Sequence, residues 1–239
     1  MDITIFKDIK QTARPFYRNI NLILTRIQEG ASKDIVKKIR AEKDKENRNI
    51  LKQKLPAICF SGQFTKRADN AIKEHSGYIC LDFDGYKSNR DLLQEKERLS
   101  KDKFVYSVFI SPSGNGLKVL VKIPPIVDDH KSYFLSLQKY YDSEYFDKTC
   151  KNISRVCYES YDPLIHVNAH SSLWDKIEEQ EYVEVSKHND IPTIPVTDEN
   201  KIIDILIKWW TKKYPMNEGE RNNNAYVLAA AFNDFGVYQ

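Results

Sequence analysis

Apolar positions recur at helical spacing from Asn19 to about Lys54. Ile20, Ile23, Leu24 and Ile27 share one face, then Ile35, Val36 and Ile39, then Ile50 and Leu51. Gly30 followed by Ser32 reads as a helix stop and a new N-cap. Beyond Leu55 the runs shorten. Residues 57–60 and 77–83 are strand-like and are separated by a polar segment of helical length, 66–75. Residues 89–99 have helical spacing, 104–110 and 117–123 read as two strands joined by a turn, 129–141 as a helix and 156–158 as part of a strand. This order predicts an α+β fold with helices packed on a mostly antiparallel sheet. Residues 184–200 carry two prolines and no periodic core positions, which marks a linker. After it, Ile202 to Trp210 and then residues 224–235, with Gly236 as C-cap, predict two apolar helices that cannot bury themselves and so need further chain or a partner. The expected organisation is therefore one domain over 1–183, with 1–54 as a helical lead-in, a linker over 184–200 and a small all-α segment over 201–239.

Composition narrows the class. The 239 residues are 41% hydrophobic and 30% charged, enough apolar material for a core and too much for a disordered tail. With 37 Lys+Arg against 34 Asp+Glu the formal charge is +3, so any nucleic-acid contact must come from a local patch. The exposed face of the 33–54 region is one such patch: Lys33, Lys37, Lys38, Arg40 and Lys52 alternate with acids. It reads either as a solvated, ion-paired face or as a phosphate track. No run reaches the roughly 18–20 apolar residues of a membrane span, and the first ten residues lack a secretory pattern, so a cytoplasmic location is expected. The four cysteines form no CxxC pair and read as buried reduced thiols; His166 and His170 lie in an extended segment unsuited to a zinc pair.

Three segments carry candidate chemistry. GYICLDFDG places Asp82 and Asp84 at i, i+2 on a strand, hence on one face and about 6–7 Å apart. Two such charges call for a hard divalent cation, or else mark a polar strand end with a turn at Asp84-Gly85. FVYSVFISPSGNGLKVLVKI reads as a hairpin with its turn at Asn115-Gly116; its small-residue loop can approach a phosphate, and Lys118 can neutralise one. YFDKTCKNISRVCYESYDP supplies Asp147, as a third carboxylate or a turn cap, and Arg155, as a phosphate fork or a surface ion pair.

The order LDFD, SPSGNGLK, FD…SR resembles the archaeo-eukaryotic primase superfamily of primase-polymerases. With LPAICFSGQFTKR…HSGYICLDFDGY it is similar in particular to the N-terminal domain of virulence-associated-E-type proteins, over roughly residues 50–170. The resemblance implies an RRM-like catalytic core in which Asp82, Asp84 and Asp147 hold Mg²⁺ or Mn²⁺. Ser113, Gly114, Gly116, Lys118 and Arg155 would contact the incoming nucleotide. Lys118 stands where many members have histidine, and Tyr158 where some have a second arginine. The tail EGERNNNAYVLAAAFNDFG is similar to the start of helical primase C-terminal domains. The implied activity is template-dependent nucleotidyl transfer, as a DNA primase or polymerase in DNA replication. Single-stranded DNA template, with Lys66 and Arg67 as candidate contacts, and nucleoside triphosphates would be the partners. A helicase domain or protein, in cis or trans, and a mobile genetic element as host complete the expectation. The alternatives are a non-polymerising replication-initiator or helicase-accessory module that binds single strands, and a metal-dependent nuclease, against which Tyr86 stands where many nucleases have lysine.

Overall fold

The computed structural model describes residues 1–177, 198–214 and 221–235. They fall into two compact units, Met1–Glu179 and Gln180–Gln239. In the first unit, strands β1 (Asp2–Phe6) and β2 (Phe16–Asn19) precede three helices, α1 (Ile20–Glu29), α2 (Lys33–Ala41) and α3 (Lys45–Lys52). There follow β3 (Ala57–Cys59), β4 (Gly62–Phe64), β5 (Ile72–His75), β6 (Tyr78–Asp84), α4 (Asn89–Ser100), β7 (Val105–Ile110), β8 (Gly116–Lys122), α5 (His130–Tyr141), β9 (Cys157–Tyr158) and β10 (His166–Val167). The class is α+β, and every strand pairing is antiparallel.

Two four-stranded sheets form where one was expected: β2-β1-β3-β9 and β10-β7-β8-β6. Strand alternation decides how they stack. Ile79, Leu81 and Phe83 of β6 join Leu117, Val119 and Val121 of β8 in a core closed by Leu92 and Leu99 of α4 and Phe134 and Leu137 of α5. The opposite face of the same sheet, through Tyr106, Phe109 and Leu120, packs on α1 and on Ile3 and Ile58 of the first sheet. The predicted α1 stripe, Ile20, Ile23, Leu24 and Ile27, is fully buried there, and Gly30 ends the helix at φ +90°, a left-handed turn that suits glycine.

Three expectations need correction. Residues 66–75 are not a helix. They hold a loop, a 3₁₀ turn (Asp69–Ala71) and β5, which pairs with β4 in a two-stranded hairpin. The segment has no apolar i, i+3/i+4 stripe to dock a helix, and its one firmly buried apolar residue is Ala71. Ile50, assigned to a buried stripe, is 54% exposed. The turn between β7 and β8 lies earlier than Asn115-Gly116: Gly114 takes φ +81°, its N–H donates to Ser111 O at 3.0 Å, and Gly116 already belongs to β8.

In the second unit, α6 (Glu199–Lys213) is capped by Asp198, whose carboxylate accepts from the Asn200 N–H at 3.1 Å. Trp210 Nε1 donates to Asn224 O of α7 (Arg221–Asp234) at 2.6 Å. Residues 184–197 of the predicted linker and Gly236 lie outside the described residues. Among the described residues no helix is long and apolar enough to cross a membrane.

One buried polar pair ties β5 to α5. His75 Nε2 and His130 Nδ1 lie 3.0 Å apart, and His75 Nδ1 accepts from the Gly77 N–H at 2.9 Å, so His75 is the donor within the pair. Burial pulls His75 down to about 4. It pulls His130 down to about 3, helped by the neighbouring imidazole. Both stay neutral when folded, whereas the unfolded chain takes up protons near pH 6.5. The stabilisation is complete above that pH and is lost as the pH falls from about 6.5 towards 4. The melting temperature of the wild type is expected to drop across this window, and His75→Gln to flatten the drop; an equal slope in both would contradict the assignment.

Candidate active site

The site is built on the edge of β6. Because β6 turns Ile79, Leu81 and Phe83 into the α4/α5 core, Asp82 and Asp84 must emerge together on the other face. On β8, Lys118 lies directly opposite Asp82 and Gly116 opposite Asp84. Gly116 is a close-approach position: a Cβ there would stand 2.0 Å from Asp84 Oδ1 and 2.9 Å from Phe83 O, so only glycine leaves the carboxylate its place.

The third acid arrives by main-chain pairing. The Asp84 N–H donates to Tyr145 O at 2.7 Å and the Asp147 N–H to Asp82 O at 2.8 Å, with a bridge between Phe83 and Phe146. Phe146 is anchored edge-on against Phe83 and Phe134, both at 5.2 Å between ring centroids. Asp147 is thereby held beside Asp82 although 65 residues separate them in the chain (147 − 82). Ligand atoms of Asp82, Asp147 and Cys150 lie within 4.8 Å of one another.

The polar partners are specific. Lys118 Nζ donates to Asp82 Oδ2, and each side chain is only 13% exposed. Asp82 Oδ1 is buried with no hydrogen-bond partner. Burial alone would lower the Lys118 pKa, but Asp82 and Asp84 outweigh it and hold the ammonium firmly charged. Desolvation, and then the Asp82 charge, raise the Asp84 carboxyl. Asp147 is desolvated too. Even so, donation from the Cys150 thiol to Oδ2 (2.9 Å), donation from Thr149 to Oδ1 (N–H 2.9 Å, hydroxyl 2.7 Å) and nearby Arg155 hold its carboxyl below the usual range. Burial and this bond push Cys150 up to about 12, so its thiol is a neutral donor. Asp147 thus acts as a turn cap as well as standing in the acid cluster. Arg155 Nη2 lies 3.6 Å from Asp147 Oδ2.

In front of the carboxylates opens a cavity of about 360 Å³. Asp82, Asp84, Lys118, Arg155, Ser111 and Ser113 line it, and so do Lys52, Arg67, Tyr158 and Ile9. Gly114 shapes its loop, where a Cβ would stand 3.4 Å from Arg40 Cδ; Arg40 Nη2 donates to Ser111 O at 3.1 Å and Tyr161 O at 2.9 Å, fixing the hairpin. Of the sequence-predicted residues, Asp82, Asp84, Ser113, Lys118 and Arg155 line the cavity, whereas Asp147, Gly114 and Gly116 are not among its lining residues. Lys52, on the basic stretch read as either a solvated face or a phosphate track, ends α3 and lines the cavity. Arg67 lines the cavity while Lys66 does not. Sequence reasoning missed Cys150, whose only signal was its place three residues after Asp147, and Ser111, whose hydroxyl is buried without a partner.

Asp82 and Asp147 bring carboxylate oxygens within 4.8 Å of each other and Asp84 stands in electrostatic reach of both, a donor set that fits a hard divalent cation, with Asp82 Oδ1 buried and unpartnered. It does not resemble a thiolate site, since the Cys150 proton is engaged with Asp147.

Residues 50–166, just under half of the chain, match the family model of the BT4734-like, N-terminal domain. The matched span contains the three acids, the 111–118 loop and Arg155. No curated protein matches the chain, and no solved structure does.

Removing the ammonium with Lys118→Met leaves a buried, uncompensated Asp82 and is expected to cost about 3–5 kcal/mol. Asp82→Asn combined with Lys118→Met should cost much less than the sum of the two single changes. Urea unfolding of the four proteins measures this; additive costs would show that the pair does not interact.

Proposed function

We propose that this chain is a template-dependent nucleotidyltransferase, a DNA primase or primase-polymerase, acting with Mg²⁺ or Mn²⁺ on nucleoside triphosphates and single-stranded DNA. The observation that carries the reading is the meeting of Asp82 and Asp84 of β6 with Asp147 from a distant segment: ligand atoms of Asp82 and Asp147 lie within 4.8 Å of each other, Asp84 is in electrostatic reach of both, and Asp82 and Asp84 line a cation-rich cavity. The strand order β7-β8-β6, with the 145–147 segment bonded to the outer edge of β6, supports an RRM-like core. The match of residues 50–166 to a single domain family agrees with that region being one unit.

Divalent ions bound by the three acids would supply charge stabilisation to the attacking and leaving oxygens of a phosphoryl transfer. The remaining work falls to the protein's own groups. The β6 strand fixes Asp82 and Asp84 on a rigid element, so little reorganisation is needed when charge develops. The 111–116 loop brings small residues and the Ser113 hydroxyl to the cavity wall, where an oxyanion can be approached closely. Arg155 offers a planar fork to phosphate oxygens, and Lys118 holds the Asp82 carboxylate in place. A helicase domain or protein, in cis or trans, would present the single strand.

The Lys118–Asp82 ion pair also favours a second reading. A carboxylate with an internal counter-ion does not require a metal, as in a replication-initiator or helicase-accessory module that binds single strands without polymerising. Calorimetry separates the two, since only the first predicts nucleotide binding that depends on Mg²⁺ or Mn²⁺.

With primed and unprimed single-stranded DNA, nucleotides and Mg²⁺ or Mn²⁺, the wild type is expected to incorporate nucleotides and Asp82→Ala/Asp84→Ala to fall to background. Equal incorporation by the two proteins, or none by the wild type, would overturn the enzymatic reading.

A further inference from the structure

The cavity holds four cationic side chains, and they are not equivalent. Lys118 is spent on Asp82, and Arg155 is shared with Asp147. Among the described residues, the side chains of Lys52 and Arg67 make no hydrogen bond or ion pair, yet both line the cavity. Lys52 stands at the carboxylate end, within electrostatic reach of Asp84, Lys118 and Asp82, and its partial burial lowers its pKa because no bonded partner repays the lost water. Arg67 lines the same cavity and is in electrostatic reach of Tyr158. Its loop is pinned: the Arg67 N–H donates to Thr12 O at 3.0 Å, and Asp69 Oδ1 accepts from the Ser154 N–H at 2.9 Å, next to Arg155.

From this arrangement we infer that Lys52 and Arg67, together with Arg155, form the wall that binds the phosphate chain of the incoming nucleotide, whereas Lys118 serves Asp82. The identity of the anion rests on the nucleotidyltransferase reading; the existence of the anion site does not. The roughly 360 Å³ of the cavity falls in the range of small-ligand sites of about 300–1,000 Å³, which leaves room for a row of phosphates. Two cations with no side-chain partner, a half-buried Lys52 and an exposed Arg67, are carried by separate elements, the end of α3 and the pinned 65–71 loop. An oligophosphate satisfies both with charge-assisted hydrogen bonds. Arg67 thereby leaves the set of candidate template contacts it shared with Lys66, which is not among the residues that line the cavity.

The test is calorimetric titration of the full chain with inorganic triphosphate in the absence of divalent metal. The wild type is expected to bind. Lys52→Met and Arg67→Met should each weaken binding roughly tenfold, the order of one charge-assisted contact. Lys52→Arg should keep most of the affinity, and Lys66→Met all of it, with melting temperatures confirming that each variant is folded. Wild-type affinity in Lys52→Met and Arg67→Met, no binding by the wild type, or a Lys66→Met loss as large as theirs would overturn the assignment. If triphosphate binding behaves as expected while no DNA is extended, the anion wall stands and the nucleotidyltransferase reading fails. If DNA is extended while Lys52→Met and Arg67→Met bind triphosphate like the wild type, the wall fails and the enzymatic reading stands.

Discussion

The site depends on like charges being forced together at the edge of a strand that has no freedom to separate them. Alternation along β6 commits Ile79, Leu81 and Phe83 to one core, and a slip of one residue would expel all three; Asp82 and Asp84 are therefore fixed on the other face. Backbone bonds from Asp84 and Asp147 then draw a third carboxylate alongside. The repulsion is visible in Asp84, whose carboxyl is raised by desolvation and by Asp82. It is relieved at Asp82 by Lys118 from the adjacent strand. Such an arrangement is costly as a stability device and reasonable as a binding one, because a cation of higher charge can take over what one ammonium does in part.

The scaffold around the acids divides the labour between two sheets. The β10-β7-β8-β6 sheet supplies Asp82, Asp84 and the loop, the 145–147 segment along the edge of β6 supplies Asp147, and α1 with the first sheet covers the rest of the same face. Contributions from outside that sheet, Lys52 at the end of α3, Arg67 in the β4–β5 loop and Arg155 before β9, set the positive character of the cavity. A net charge of only +3 over the chain is compatible with this, since the cations that matter are few and local.

Legibility from the sequence followed the strength of the local pattern. The α1 stripe, the alternation of β6 and the paired runs of β7 and β8 were readable because each buries a full face. The 2-residue spacing of Asp82 and Asp84 then placed them without further information. β1 and β2 carry short alternations near the N-terminus that no neighbouring motif drew attention to, and the strands that complete their sheet, β3 beside β1 and β9 beside β3, lie far along the chain. The 66–75 segment misled because a polar run of helical length carries no information about a hairpin held by Asp69–Ser154 and by β4. Asp147 was readable as a candidate, but its position beside Asp82 comes from main-chain bonds that no side-chain pattern encodes. Lys52 was indistinguishable from eight other basic residues on its helical stretch until tertiary packing turned it inward.

The central claim is that three acids form a cage for a divalent cation. Diffraction from crystals soaked with Mn²⁺ and a non-hydrolysable nucleoside triphosphate, with data at the manganese edge, tests it most directly. The account predicts an anomalous peak bonded to oxygens of Asp82, Asp84 and Asp147, with Lys118 displaced from Asp82 Oδ2. Lys118 still seated on Asp82, with no anomalous peak among the three carboxylates, would contradict it.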